Sequence, residues 1–136
     1  MALVLLDTSV ASLFLPHRSR EPVRALYEPY LFGNTLALSF QSVAEIWKLA
    51  ESRNWGRQRR DELDAFLHRF IVIPYDYELI RVWARVCVEA ERAGRRLETA
   101  DAWIAATAVH RRLPLLAHDR DLKDLPVTGL TVVSFA

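Results

Sequence analysis

Short apolar runs closed by polar residues alternate along this chain with longer stretches of helical period, and that alternation leaves few folds open. Leu3–Leu6, Thr35–Ser39, Ile71–Ile73, Leu115–Ala117 and Thr131–Phe135 read as strands. Between them, helices are expected from about Ser9 to Leu15, over Glu21–Phe32, from Ser39 or Ser42 to Asn54, and over Arg57–Phe70, Asp76–Ala93 and Glu98–Arg112. Pro22 suits a first helical turn, Gly94 a helix stop, and Leu113-Pro114 ends the last helix. Strands that are apolar throughout, such as Leu3–Leu6 and Ile71–Ile73, are expected to be buried on both faces. The expected fold class is therefore α/β: an open parallel sheet of four to five short strands with helices on both faces, in a single domain over residues 1–136.

A sheet of this kind needs a sizeable core, and the chain has the means. Of its 136 residues 51% are hydrophobic and 26% charged, so it can bury a core where a disordered chain could not. One cysteine, Cys87, allows no internal disulfide and no cysteine-rich zinc site, and reads as core filler in a reducing compartment. The apolar first 16 residues lack a basic leader and are split by Asp7, and no run approaches the roughly 20 apolar residues of a spanning helix. A cytoplasmic location is expected, with no tail after the last strand. The net charge is +1, and 16 of the 18 basic residues are arginine. Arginine is the better bidentate phosphate partner, but its clusters, Arg57, Arg59, Arg60 and Arg95, Arg96, serve equally as solvated faces.

In open α/β sheets ligands bind beyond the carboxyl ends of the strands. Asp7 stands there after the first strand, and Asp119 after Leu115–Ala117, with His118 between and Asp121 two residues on. Asp101 lies three and four residues before Ile104 and Ala105, which puts it on an inward stripe near a helix N-terminus; Glu98 shares that face one turn earlier. Small residues at Ala105 and Ala108 allow this helix close to the sheet. Glu45 sits among Val43, Ile46 and Trp47, at the margin of another buried stripe. Taken singly, an Asp early in a helix is usually a cap and a helical Glu usually solvated. Several carboxylates converging on one edge are a different matter, because they cannot all ionise without a cation. Hard oxygen ligands select Mg²⁺ or Mn²⁺, ions that activate water and stabilise phosphoryl displacement. No nucleophile elbow, paired-histidine motif, phosphate loop or dinucleotide fingerprint competes; of the four histidines only His118, beside Asp119, could touch such a site.

The segments L-L-D-T-S-V, S-V-A-E-I-W, T-A-D-A-W-I-A-A-T-A and L-L-A-H-D-R-D-L come in the order and spacing of PIN-domain ribonucleases, and the chain most resembles their VapC-type toxins. The resemblance implies a three-layer α/β/α sandwich. It implies that Asp7, Glu45, Asp101 and Asp119 form an acidic quartet holding one or two divalent ions, Mg²⁺ or Mn²⁺. Ser9 matches the hydroxyl residue that supports the first aspartate, and Asp121 an auxiliary acid. Ala117 stands where many relatives carry threonine, which removes a hydroxyl able to support a ligating acid. Similar proteins cut structured RNA, tRNA or ribosomal RNA, form homodimers, and are silenced by a VapB antitoxin lying in a groove. Tyr27, Tyr30 and Trp47 are candidate groove residues, with core packing as the alternative, and Arg18, Arg20, Arg95 and Arg96 are candidate RNA contacts.

Two other functions remain open at this point. A phosphatase could use Asp7 as nucleophile, although such enzymes want a second Asp where this chain has Ser9. A non-catalytic module could use the acids only to bind a basic partner.

Overall fold

The computed structural model describes residues 2–18 and 21–136. Five parallel strands form one sheet: β1 (Leu3–Leu6), β2 (Thr35–Ser39), β3 (Ile71–Ile73), β4 (Leu115–Leu116) and β5 (Val132–Val133), in the spatial order β3-β2-β1-β4-β5. Among the described residues six helices accompany them: α1 (Thr8–Ala11), α2 (Pro22–Leu31), α3 (Phe40–Ser52), α4 (Arg57–Leu67), α5 (Tyr77–Arg92) and α6 (Thr99–Arg111). The expected class, a parallel sheet between helical layers, is what the chain forms.

The pleat of the central strands sorts the core into two halves. Val4 and Leu6 of β1, Leu38 of β2 and Leu116 of β4 face the layer built from α1 to α4. Leu5, Ala37, Leu115 and Ala117 face the layer built from α5 and α6. This alternation places apolar residues on both sides of β1, which explains why its sequence carries no polar residue until Asp7. On α6, Ala102, Ala105, Ala106 and Ala108 are all fully buried, so small side chains let that helix lie close over the sheet.

Three local expectations need correction. The segment after Asp7 is not one helix to Leu15; α1 gives way to a 3₁₀ turn over Ser12–Phe14. The third strand is not buried on both faces. It is one of the sheet's two edges, and Ile71 and Val72 remain 50% and 43% exposed, with only Ile73 buried. A short apolar run looks the same in sequence whether its strand is central or at the edge. Finally, Glu98 precedes α6 as its N-cap and is exposed, so it does not share the buried face with Asp101.

The strand order fixes where a site can form. From β1 the chain steps outward to β2 and then β3, then crosses back to lay β4 on the other side of β1. The order therefore reverses between β1 and β4, with Leu6 paired to Leu116 at their carboxyl ends. A crevice at this switch point is the standard place for a ligand in an open parallel sheet. Asp7 and Asp119 lie just beyond those two strand ends.

Candidate active site

Asp7 is the N-cap of α1, and its carboxylate accepts the backbone N–H of Ser9 at 3.2 Å and the Ser9 hydroxyl. Its own N–H donates to the Leu116 carbonyl at 2.8 Å, which ties the end of β1 to the end of β4. With only 3% exposure it is one of the few buried polar residues described. Burial pushes its carboxyl above the ordinary range, and Asp119 and Glu45 push in the same direction; the Ser9 hydrogen bonds pull the other way.

Asp101 stands in the first turn of α6, half-buried, with Asp119 and Asp121 close by. Its carboxyl is pushed up to about 7, first by burial and then by Asp119, Asp7, Glu45 and Asp121. One oxygen from each of Asp101, Asp119 and Asp121 lies within 4.8 Å of the others. The Asp119 carboxylate also accepts the N–H of Asp121 at 2.8 Å, which folds the loop after β4 back on itself. Asp121, expected as an auxiliary acid, is exposed at the edge of this group.

Glu45 reaches the group from α3, whose N-cap Ser39 lies at the end of β2. Thr8 Oγ1 is 3.0 Å from Glu45 Oε1 and 2.9 Å from the buried Ser42 hydroxyl. A hydroxyl has one proton, and the carboxylate is the stronger acceptor, so Thr8 donates to Glu45 and Ser42 donates to Thr8. The residue between Asp7 and Ser9 is therefore as much part of the site as they are. Sequence reading passed over Thr8 because its partners lie more than thirty positions away.

The structure thus brings together Asp7, Ser9, Glu45, Asp101, Asp119 and Asp121. Among the described residues none of the five acids forms an ion pair. Mutually repelling carboxylates with no basic partner, Asp7 and Asp101 among them desolvated, make an oxygen-only donor set that fits a hard divalent cation such as Mg²⁺ or Mn²⁺.

The expected rim residues divide. Arg18 is held by Glu21 at 2.8 Å and by the Ser12 carbonyl. Arg20 lies outside the described residues. Arg95 donates from one nitrogen to the carbonyls of Arg120, Asp121 and Lys123 at 3.1, 3.1 and 2.9 Å, so it braces the acid-bearing loop from within. Arg96 is exposed, and with Leu97, Glu98, Thr99 and Ala100 it lines an open cleft of about 560 Å³ directly before Asp101. Of the candidate groove aromatics, Tyr27 is fully buried and so belongs to the core. Tyr30 is partly exposed against Phe135, and Trp47 packs on the core of the α1–α4 side. Ala117 is buried, and its N–H donates to Val133 at 3.1 Å.

Comparison with known proteins bears on the fold and the family. Ribonuclease VapC5 of Mycobacterium tuberculosis is 40% identical over 53 residues, a stretch that spans 39% of each protein. Among solved structures, VapBC2 of Rickettsia felis bound to a promoter DNA fragment superposes with a TM-score of 0.79 at 21% identity, covering 98% of both chains. VapBC-5 of M. tuberculosis, from the VapBC family of toxin–antitoxin systems, superposes with a TM-score of 0.70 at 25% identity, covering 98% of this chain and 99% of that one. The PIN domain family matches residues 4–127, from the second residue of β1 to beyond the acid-bearing loop, and the chain belongs to that family.

Proposed function

We propose that this protein is a divalent-metal-dependent endoribonuclease, the toxin of a VapBC-type pair, that cleaves structured RNA such as tRNA or ribosomal RNA and thereby inhibits translation. The observation that carries the reading is the convergence of Asp7, Glu45, Asp101 and Asp119 without a basic partner, which leaves Asp101 with a carboxyl near neutrality. An uncompensated acidic cluster repels a phosphodiester. It becomes a phosphodiester site only with cations. The similarity to VapC5 and to VapBC structures supports the choice of RNA as substrate and of a VapB-type antitoxin as partner.

Asp7, Asp101 and Asp119 would hold the ion, with Asp121 at its edge. Mg²⁺ or Mn²⁺ bound there supplies Lewis acidity toward phosphate oxygens and lowers the pKa of a bound water. Ser9 fixes one oxygen of Asp7, and its hydroxyl and N–H favour the ionised form. Thr8 holds Glu45 Oε1, which leaves Oε2 to orient the attacking water and take up its proton, or to hold a second ion. Arg96, exposed at the cleft before Asp101, would neutralise the RNA backbone. The protein works in the cytoplasm as a homodimer. No described helix is long and apolar enough to cross a membrane.

The test is cleavage of purified tRNA and ribosomal RNA by the isolated protein. Activity should need Mg²⁺ or Mn²⁺, stop with chelator, and vanish in Asp7→Ala and Asp101→Ala with the fold retained. Undiminished cleavage by both variants would sink the reading.

A further inference from the structure

Tyr27 is 0% exposed on α2, a helix that carries none of the acids, yet its phenol is not idle in the core. The oxygen accepts the backbone N–H of Phe135 at 3.0 Å. Its single proton then has two possible acceptors: His118 Nδ1 at 2.8 Å and the Ala117 carbonyl at 3.4 Å. Assigning the proton to the shorter contact makes Nδ1 the acceptor and leaves the imidazole proton on Nε2. The two rings also meet edge to face, with centroids 5.7 Å apart.

His118 is gripped from its other side as well. Its backbone N–H donates to Ser9 Oγ at 3.0 Å, and that hydroxyl donates its proton to Asp7. One continuous path therefore runs from Phe135 through Tyr27, His118 and Ser9 to the Asp7 carboxylate, with Asp119 the next residue after His118. Without the Tyr27 contact, the residue that leads into Asp119 would be held only by its backbone N–H to Ser9, with its ring free to turn.

We infer that Tyr27 and His118 are positioning residues: the buried phenol sets the tautomer and orientation of His118, and through Ser9 this fixes Asp7 and Asp119 at the separation that metal binding needs. The inference rests on the metal-dependent reading above. Groups that orient ligating residues by hydrogen bonds typically control affinity by about 10–100-fold, so the loss of one hydroxyl here should be measurable.

The experiment compares wild-type protein with Tyr27→Phe, which removes only the oxygen. Mn²⁺ binding is measured by calorimetry on chelator-treated protein, and the His118 ring nitrogens are followed by ¹⁵N NMR. The expected result is a cooperative fold and Mn²⁺ affinity about tenfold weaker. The His118 nitrogen shifts should move from the Nε2–H form toward a tautomer mixture, and kcat should fall more than KM rises. Unchanged Mn²⁺ affinity together with unchanged nitrogen shifts would overturn the inference. If Tyr27→Phe does not fold, His118→Gln carries the affinity measurement, since it keeps the backbone N–H to Ser9 and removes the ring; wild-type affinity in that variant is equally fatal. Wild-type protein that binds no Mn²⁺ overturns the metal reading instead. The His118 nitrogen shifts then decide by themselves whether Tyr27 positions the ring.

Discussion

Thr8 at the start of α1 donates its hydroxyl proton to Glu45 in the middle of α3, joining two residues 37 positions apart at 3.0 Å. Replacing Thr8 by valine keeps the shape and removes the donor. It also leaves the buried Ser42 hydroxyl without its acceptor. Thr8→Val should cost about 1–2 kcal/mol of stability and lower RNA cleavage by roughly tenfold. Chemical denaturation and initial cleavage rates check both. In a double-mutant cycle with Glu45→Ala the two changes should be strongly non-additive, because they break the same contact.

Asp101 makes the metal-free protein sensitive to pH. Its folded pKa, about 7, lies above the unfolded value of 3.8, so the folded state binds the proton more tightly. Stability from this group is therefore greatest below pH 4, declines as pH rises through that window, and levels off above about 7. Discounted for partial exposure, the decline should be about 2 kcal/mol. Denaturation in the presence of chelator at pH 5 and pH 8 should show it, and Asp101→Asn should reduce it. Metal affinity should run in the opposite sense, rising with pH through 7, because the ion competes with that proton.

Arg95 offers a prediction about the loop after β4. One guanidinium nitrogen serves three loop carbonyls, so Arg95→Ala frees the segment that bears Asp119 and Asp121. Global stability should change by only about 1 kcal/mol, since the contact is near the surface. Mn²⁺ affinity should fall roughly tenfold, as when other groups that orient ligands are lost. Calorimetric titration of the variant distinguishes this bracing role from direct RNA contact. An arginine that only touched RNA would leave Mn²⁺ affinity unchanged.

What the sequence made legible follows from how local each feature is. The strand ends, the carboxylates beyond them and the inward face of Asp101 could be read because each depends on residues within a few positions of one another. Ile71 and Val72 misled because strand order, which leaves β3 at the edge, is a property of the whole chain. The roles of Thr8, Tyr27 and Arg95 were hidden for the same reason. Their partners Glu45, His118 and the 120–123 carbonyls are brought near only by the crossovers between strands. Glu98 was placed on the inward face by spacing alone, and the helix simply begins one residue later.

Asp7 provides the strictest separation of folding from function. As the N-cap of α1 it satisfies the Ser9 N–H, a task that asparagine performs equally well. As a buried carboxylate among other acids it is destabilising when ionised without a cation, which is why its pKa is raised. The sign matches that of Asp101: this group's contribution declines as pH rises above the unfolded value of 3.8. Asp7→Asn should therefore leave the metal-free protein at pH 7–8 at least as stable as wild type in thermal melts. The same variant should lose RNA cleavage by at least about a hundredfold and no longer gain melting temperature on adding Mn²⁺. A melting temperature well below wild type in chelator would show that the Asp7 charge holds the fold together and does not serve chemistry.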